Sequence, residues 1–471
     1  MDIPLTIKEA GEALRSGSTT SVDLTTALMQ KAQSLNPTLG AFVSFTEETA
    51  MAAAAAADAN FAAGVDLGPM QGIPYAAKDI IATKDSTTTA NGLILDPEWG
   101  AGYDATVVAK LRAAGAVLMG KLVLNEFAIG MPDASKPFPM PQNPWDLERS
   151  ASGSSSGTGI AVAAGLVLGG LGTDTGGSTR GPSSWNGLSG MKQTFGRASK
   201  YGCVPLGYSE DHINPMARSA YDCALMLQIM AGFDPLDPSS VDLPVPDYLA
   251  ALSGSIEGMR IGVPMKYFFD APDLEPDVRA GVLAAVQLLA DAGAIVTEVD
   301  LPHAGEAKDA NMIIMYSEAF AYHREDLAAK FDTYGRYTSE VLGRGALFGA
   351  SDYTQAQRFR SYWKKVVAEA MASLDVLITP TSISTAPKRS EMSPEKQLSG
   401  SSFTSQWNLT GLPAMAIPCG FSEGLPLSMQ IVGKPFAEAT VFKVADAYQQ
   451  MTDFHLQVPP IAAAKAEFAN V

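Results

Sequence analysis

The sequence predicts an α/β sandwich, and three stretches carry that expectation. An amphipathic run starting at Thr106 leads through Gly115 into the apolar segment 116–119, residues 282–292 lead through Gly293 into 294–296, and residues 363–373 lead into 375–378. In each, apolar residues recur at helical spacing and then give way to a short continuous apolar run, the pattern of a helix feeding a buried strand. Repetition of that unit builds layered α/β proteins.

Taken in order, the chain opens with two scaffold helices. Thr6 and Glu9 stand at capping-box spacing, and Ser21 precedes a second periodic stretch toward Leu35. The alanine-rich segment 51–63 is interrupted by Asp58 and Asn60 and is too short to span a bilayer, so it reads as a helix packed on protein. Residues 234–247, rich in Pro, Asp and Ser, read as a long surface connection before a strand at 259–263. Between Asn143 and Gly190 the composition shifts to Gly, Ser and Thr around the apolar run 160–168. A flexible linker has no use for an apolar run that needs burial, so this region reads as two ordered loops flanking a buried element.

Composition excludes several function classes. With 46% hydrophobic and 18% charged residues the chain is globular. A formal net charge of −17 with no basic cluster argues against nucleic acid or an anionic membrane as partner. The three cysteines, Cys203, Cys223 and Cys419, are odd in number and far apart, which yields neither a disulfide framework nor metal-ligand spacing, and no metal or cofactor is expected. The N-terminus has no basic region followed by an apolar stretch, so a cytoplasmic location is expected.

The chemistry lies in two loops, Ser-Gly-Ser-Ser-Ser-Gly-Thr at 152–158 and Gly-Thr-Asp-Thr-Gly-Gly-Ser at 172–178. Glycines let backbone N–H groups converge on an oxygen, either of a phosphate or of the oxyanion in acyl transfer. No Gly-Lys-Ser/Thr follows, and no G-x-G-x-x-G opens a helix after a strand, which disfavours a nucleotide. Residues 153–157 also fit the G-x-S-x-G elbow of α/β-hydrolases, with Ser155 as nucleophile and His303, His323 or His455 as base. The elbow needs an apolar strand before it, and 143–149 is polar and turn-like.

Several segments together resemble the amidase signature family: 68–79 with Lys78, the serine-rich loop, 172–180, Asn143-Pro144-Trp145-Asp146, 161–165, Met191-Lys192 with Gly196-Arg197, Asp211-His212 with 216–218, and 411–414. The resemblance covers essentially the whole chain. It implies one large domain over 1–471, a mixed twisted sheet covered on both faces by helices, with an N-terminal helical part (1–65), a signature core (66–235) and a C-terminal half completing sheet and pocket (236–471). Carried over residue by residue, it places the base on Lys78, the bridging serine, in a cis peptide, on Ser154 and the nucleophile on Ser178. An ungapped spacing puts Ser154 at 24 positions before the nucleophile (178 − 154), with Ser155 as its partner. Thr175, Gly176 and Gly177 would supply the oxyanion hole, and Asp174 and Arg180 would brace the loop. Ser152, Ser156 and Thr158 depart from the family's glycines.

A lysine with its usual pKa near 10.4 is useless as a base at neutral pH, and burial is what corrects this. The resemblance also points to Phe127, Ile129 and Met131 as pocket residues for a hydrophobic or aryl group, against the plain alternative of core packing. The expected activity is cleavage of small amides, anilides, esters or carbamates by a urethanase-like or aryl-acylamidase-like enzyme, monomeric or homodimeric, meeting only its small-molecule substrate. The rival is the amidase subunit of the glutamyl-tRNA amidotransferase, which needs a carboxylate that 401–404 lacks. A non-catalytic binding protein on the same scaffold would have lost one of the three residues, and all three are present.

Overall fold

The computed structural model describes residues 3–463. Eleven strands form one sheet: β1 (Phe42–Phe45), β2 (Pro74–Lys78), β3 (Val117–Leu122), β4 (Gly169–Thr173), β5 (Ser189–Lys192), β6 (Ile213–Ala217), β7 (Arg260–Pro264), β8 (Ile295–Val299), β9 (Val376–Pro380), β10 (Ala414–Ser422) and β11 (Leu425–Gly433). Their order is β1-β3-β2-β4-β6-β5-β10-β11-β9-β7-β8. Parallel pairs join β2 to β3 and β4, and β7 to β8 and β9, while the other neighbours are antiparallel. The fold is thus an α/β domain with a large mixed sheet flanked by helices.

The three helix-to-strand units appear as helix Thr106–Ala113 into β3, Pro276–Asp291 into β8 and Ala350–Ala370 into β9. The capping box at Thr6 and Glu9 closes helix Ile7–Ser16, and residues 51–62 fall in helix Glu47–Ala62. Among the described residues no helix is long and apolar enough to cross a membrane.

The sequence Gly-Gly-Leu-Gly-Thr of β4 is poor strand material by propensity, yet it lies inside the sheet and is fully buried. Close approach explains it: a Cβ on Gly170 would sit 2.7 Å from Thr158 Cγ2, and one on Gly172 3.0 Å from Ser155 Oγ. Bare backbone here lets helix Ser156–Ala163 and the serine before it lie directly on the strand. The loop expected at 172–178 therefore starts two residues later, since Gly172 and Thr173 still pair with Asn214 and Ile213.

Candidate active site

Lys78 ends β2, and Thr173 ends the parallel neighbour β4, so both side chains emerge at one edge of the sheet, where α/β folds place their sites. Lys78 is fully buried. Its Nζ lies 2.7 Å from Ser154 Oγ, 3.0 Å from Ser155 Oγ and 2.7 Å from Thr173 Oγ1. All three partners are neutral hydroxyls. Burial without a carboxylate in contact brings its pKa from 10.5 down to about 7, against the weaker opposing pull of Cys203, Asp174 and Asp211. Asp79, the next residue, points away and pairs instead with buried Lys121 at 3.1 Å.

The two serines beside Lys78 differ in what else they bond. The Ser155 hydroxyl donates to Thr173 O at 3.1 Å and accepts from Thr173 N–H at 3.1 Å, so its proton and lone pairs are committed. Ser154 Oγ has Lys78 as its one partner among the described residues, and it lines the cavity that also contains Ser178. The peptide bond Gly153–Ser154 is cis. Ser178 is half-buried, and its hydroxyl makes no hydrogen bond among the described residues. Hydrogen bonds of this kind often tighten only when substrate is present.

The loop from β4 to Ser178 is braced by a buried ion pair. Asp174 takes Arg180 Nη2 at 2.9 Å and Nε at 3.0 Å. Asn408 Nδ2 adds a contact at 2.8 Å. Arg180 continues to Gln430 Oε1 at 2.9 Å, Asn408 Oδ1 at 2.6 Å and Thr404 O at 3.1 Å. Burial alone would raise the Asp174 carboxyl, but the guanidinium outweighs it and holds the group well below the carboxylate range. Of the expected oxyanion donors, the Gly177 amide is engaged by Asp174 Oδ1 at 2.8 Å, because the same carboxylate that braces the loop reaches back to it. The amides of Thr175, Gly176 and Ser178 have no acceptor among the described residues.

The cavity at Ser178 measures about 320 Å³. Ile129 lines it, but Phe127 and Met131 do not. Phe127 is core, packed edge-on to His323 with ring centroids 4.5 Å apart. No histidine lines the cavity, which leaves the Ser155 elbow reading without a base. Among the described residues no group of three or more side chains is placed to hold a metal.

Sequence reasoning missed the opposite wall. Lys308, Asn311, Met312, Met315 and Tyr316 all face the cavity from helix Ala304–Lys330, and Arg344 joins them from helix Arg336–Arg344. The spacing i, i+3, i+4, i+7, i+8 from Lys308 is a helix face and was the one signal available. Thr173 and Trp185 were also missed.

The Amidase family's sequence profile matches residues 23–442. The chain belongs to the amidase signature family. Like other members, this amidase is a hydrolase of C–N bonds. It is 41% identical to a glutamyl-tRNA(Gln) amidotransferase subunit from Roseiflexus sp. (strain RS-1), over 97% of this chain and 98% of that one. Among solved structures it is similar to a component of a vestigial protein complex bearing on the origin of an s-triazine catabolic enzyme (TM-score 0.88, 32% identity, 95% and 98% covered). It is also similar to the peptide amidase of Stenotrophomonas maltophilia (TM-score 0.83, 29% identity, 95% and 98% covered).

The first of these names corrects an expectation. Net charge argued against nucleic acid, and the expected enzyme was a monomer or homodimer that meets only its small-molecule substrate, yet a relative this similar is named as a subunit of a glutamyl-tRNA(Gln) amidotransferase. Whole-chain net charge is an average and does not exclude a local contact with nucleic acid. Nor does it exclude membership in an assembly whose phosphate contacts lie elsewhere.

Proposed function

We propose that this amidase cleaves an amide C–N bond through an acyl-enzyme on Ser178, with Ser154 as proton bridge and neutral Lys78 as base. The carrying observation is a fully buried lysine bonded to three hydroxyls and no carboxylate, with a pKa of about 7. Ser178 Oγ attacks the carbonyl carbon as its proton passes to Ser154, whose own proton passes to Lys78 Nζ. The amides of Thr175, Gly176 and Ser178 take the oxyanion, a contribution of about 3 kcal/mol per well-aimed donor. The C–N bond breaks as Lys78 returns the proton through Ser154 to the leaving nitrogen, and water releases the acyl group by the reverse route.

For the acyl donor, the better supported reading is the side-chain amide of glutamine, with this chain as the amidase component of a tRNA-dependent amidotransferase. Relatives carrying that name match at 38–41% identity over nearly their full length. Lys308 and Arg344 also offer the cavity two cations for an α-carboxylate, and Arg344 has no hydrogen bond or ion pair among the described residues. A second reading, a stand-alone hydrolase of small amides, anilides or carbamates, is favoured by one observation. No Asp or Glu lines the cavity to hold glutamine's α-ammonium, while Trp185, Met312, Met315 and Tyr316 offer apolar surface to an aryl group.

The test measures ammonia release from glutamine, alone and with the other amidotransferase components and tRNA, beside release from acyl p-nitroanilides and aryl carbamates. Glutaminase activity that rises with the partners supports the first donor. Anilide or carbamate turnover with no glutaminase activity supports the second. Full activity in a folded Ser178→Ala variant would overturn the mechanism under either.

A further inference from the structure

Helix Ser405–Thr410 begins at the catalytic cavity, which Ser405 lines, and ends at a separate cavity of about 630 Å³ lined by Thr410, Gly411 and Leu412. That volume is in the range of small-molecule sites. Apolar surface comes from Phe195, Val367, Met371, Leu412 and Phe436. The charged residues lining it are Arg360, Lys364 and Lys434, and no Asp or Glu is among them. In a chain with 50 acidic and 33 basic residues, a cavity with cations alone runs against the average surface.

The three cations are not equally committed. Arg360 gives Nε to Leu409 O at 2.7 Å, Nη1 to Ser209 Oγ at 3.0 Å and Nη2 to Ser209 O at 2.9 Å. Lys434 reaches Ala372 O at 3.5 Å and nothing else among the described residues. Lys364 makes no hydrogen bond or ion pair there. Partial desolvation, and then the Arg360 charge, hold the Lys364 pKa below the usual lysine range despite its exposed position and against the opposing pull of Glu210, which does not line the cavity. Two unmatched ammonium groups beside an apolar recess form a surface complementary to an amphipathic anion, whose head meets the charge while its body leaves water.

We propose that this cavity is a second ligand site, distinct from the catalytic one, for a small amphipathic anion: a carboxylate or sulfonate on an aromatic or branched apolar body. Phe195 and Phe436 give the body its aromatic walls, and Lys364 and Lys434 take the head. The site owes nothing to the catalytic assignment, since none of its residues lines the cavity at Ser178.

The test uses the full chain and the fluorescent probe 8-anilinonaphthalene-1-sulfonate, with its uncharged analogue N-phenyl-1-naphthylamine as control. One saturable site is expected for the sulfonate. The Lys364→Glu/Lys434→Glu double variant is expected to weaken it by about tenfold or more, and the neutral analogue to bind about tenfold less tightly. Ala368→Trp, which fills the cavity from its rim, is expected to abolish the site with the melting temperature unchanged. Sulfonate binding that is absent, that survives both variants, or that is matched by the neutral analogue overturns the proposal.

Discussion

Thr173→Val tests the assignment of Lys78 by moving its titration in a direction a bystander lysine would not produce. Lys78 sits near 7, about 3.5 pH units below its ordinary value, equivalent to about 5 kcal/mol between its two protonation states. At pH 7 about half of the molecules then carry a neutral amine, against about 3 in 10,000 for an unperturbed lysine. The base works only when neutral, so kcat/KM rises with pH through about 7 and is flat above it. Thr173 Oγ1 accepts from Lys78 Nζ at 2.7 Å and makes no other hydrogen bond among the described residues. Valine keeps the shape and removes the acceptor. A hydrogen bond to the ammonium is worth about 1.5–3 kcal/mol and one to the neutral amine about 0.5–1.5, so the charged form loses about 1–1.5 kcal/mol more. The inflection therefore moves down by about one pH unit, to about 6. The assay is initial-rate kcat/KM on a chromogenic amide across about pH 4.5 to 9. An inflection that stays put or moves upward in Thr173→Val, or a wild-type profile flat through neutrality, refutes the reasoning.

Three further outcomes follow from the same site. Lys78→Met is expected to remove activity and raise stability at neutral pH: the unfolded chain holds the proton up to about 10.5 and the folded one only to about 7, so the cost of burying Lys78 is full below that window, up to about 5 kcal/mol, and gone above it. Urea unfolding at about pH 7 and pH 10 reads this as a stabilisation that shrinks with rising pH. Ser154→Ala and Ser155→Ala should separate, the first lowering kcat by about a hundredfold or more, the second mainly lowering stability by about 1–3 kcal/mol because it strands the buried Thr173 N–H. Kinetics and thermal unfolding on both variants check this. Arg180→Met leaves the Asp174 carboxylate buried without its partner and should cost about 3–5 kcal/mol in urea unfolding, whereas a surface pair such as Lys266 with Asp300 should cost little.

Legibility from sequence followed the range of the interactions involved. The helix-to-strand units at 106–122, 276–299 and 350–380 were readable because hydrophobic period is local, as are the glycines, Gly115 and Gly293, that join the first two. Strand β4 was not, since Gly172 and Thr173 read as the start of a loop until Thr158 and Ser155 are seen lying on the bare backbone of Gly170 and Gly172. Within the site, Ile129 lines the cavity. Phe127, two residues away, turned into the core against His323, a partner 196 positions later (323 − 127) that no local pattern announces. Asn408, which steadies the catalytic loop from 234 residues away, is equally invisible in sequence.

By itself the sequence determined the fold class, because hydrophobic period and spacing are properties of neighbouring residues, and its motifs carried the family resemblance that singled out Lys78, Ser154 and Ser178 as candidates. Only the tertiary structure decided what those residues can do. Lys78 is brought to a pKa of about 7 by burial among hydroxyls 76, 77 and 95 positions away. Ser154 rather than Ser155 has its proton free because Thr173 saturates the latter. A proton affinity and a spare hydrogen bond are set by the dielectric and the partners that folding brings together, and those are not written in any one stretch of chain.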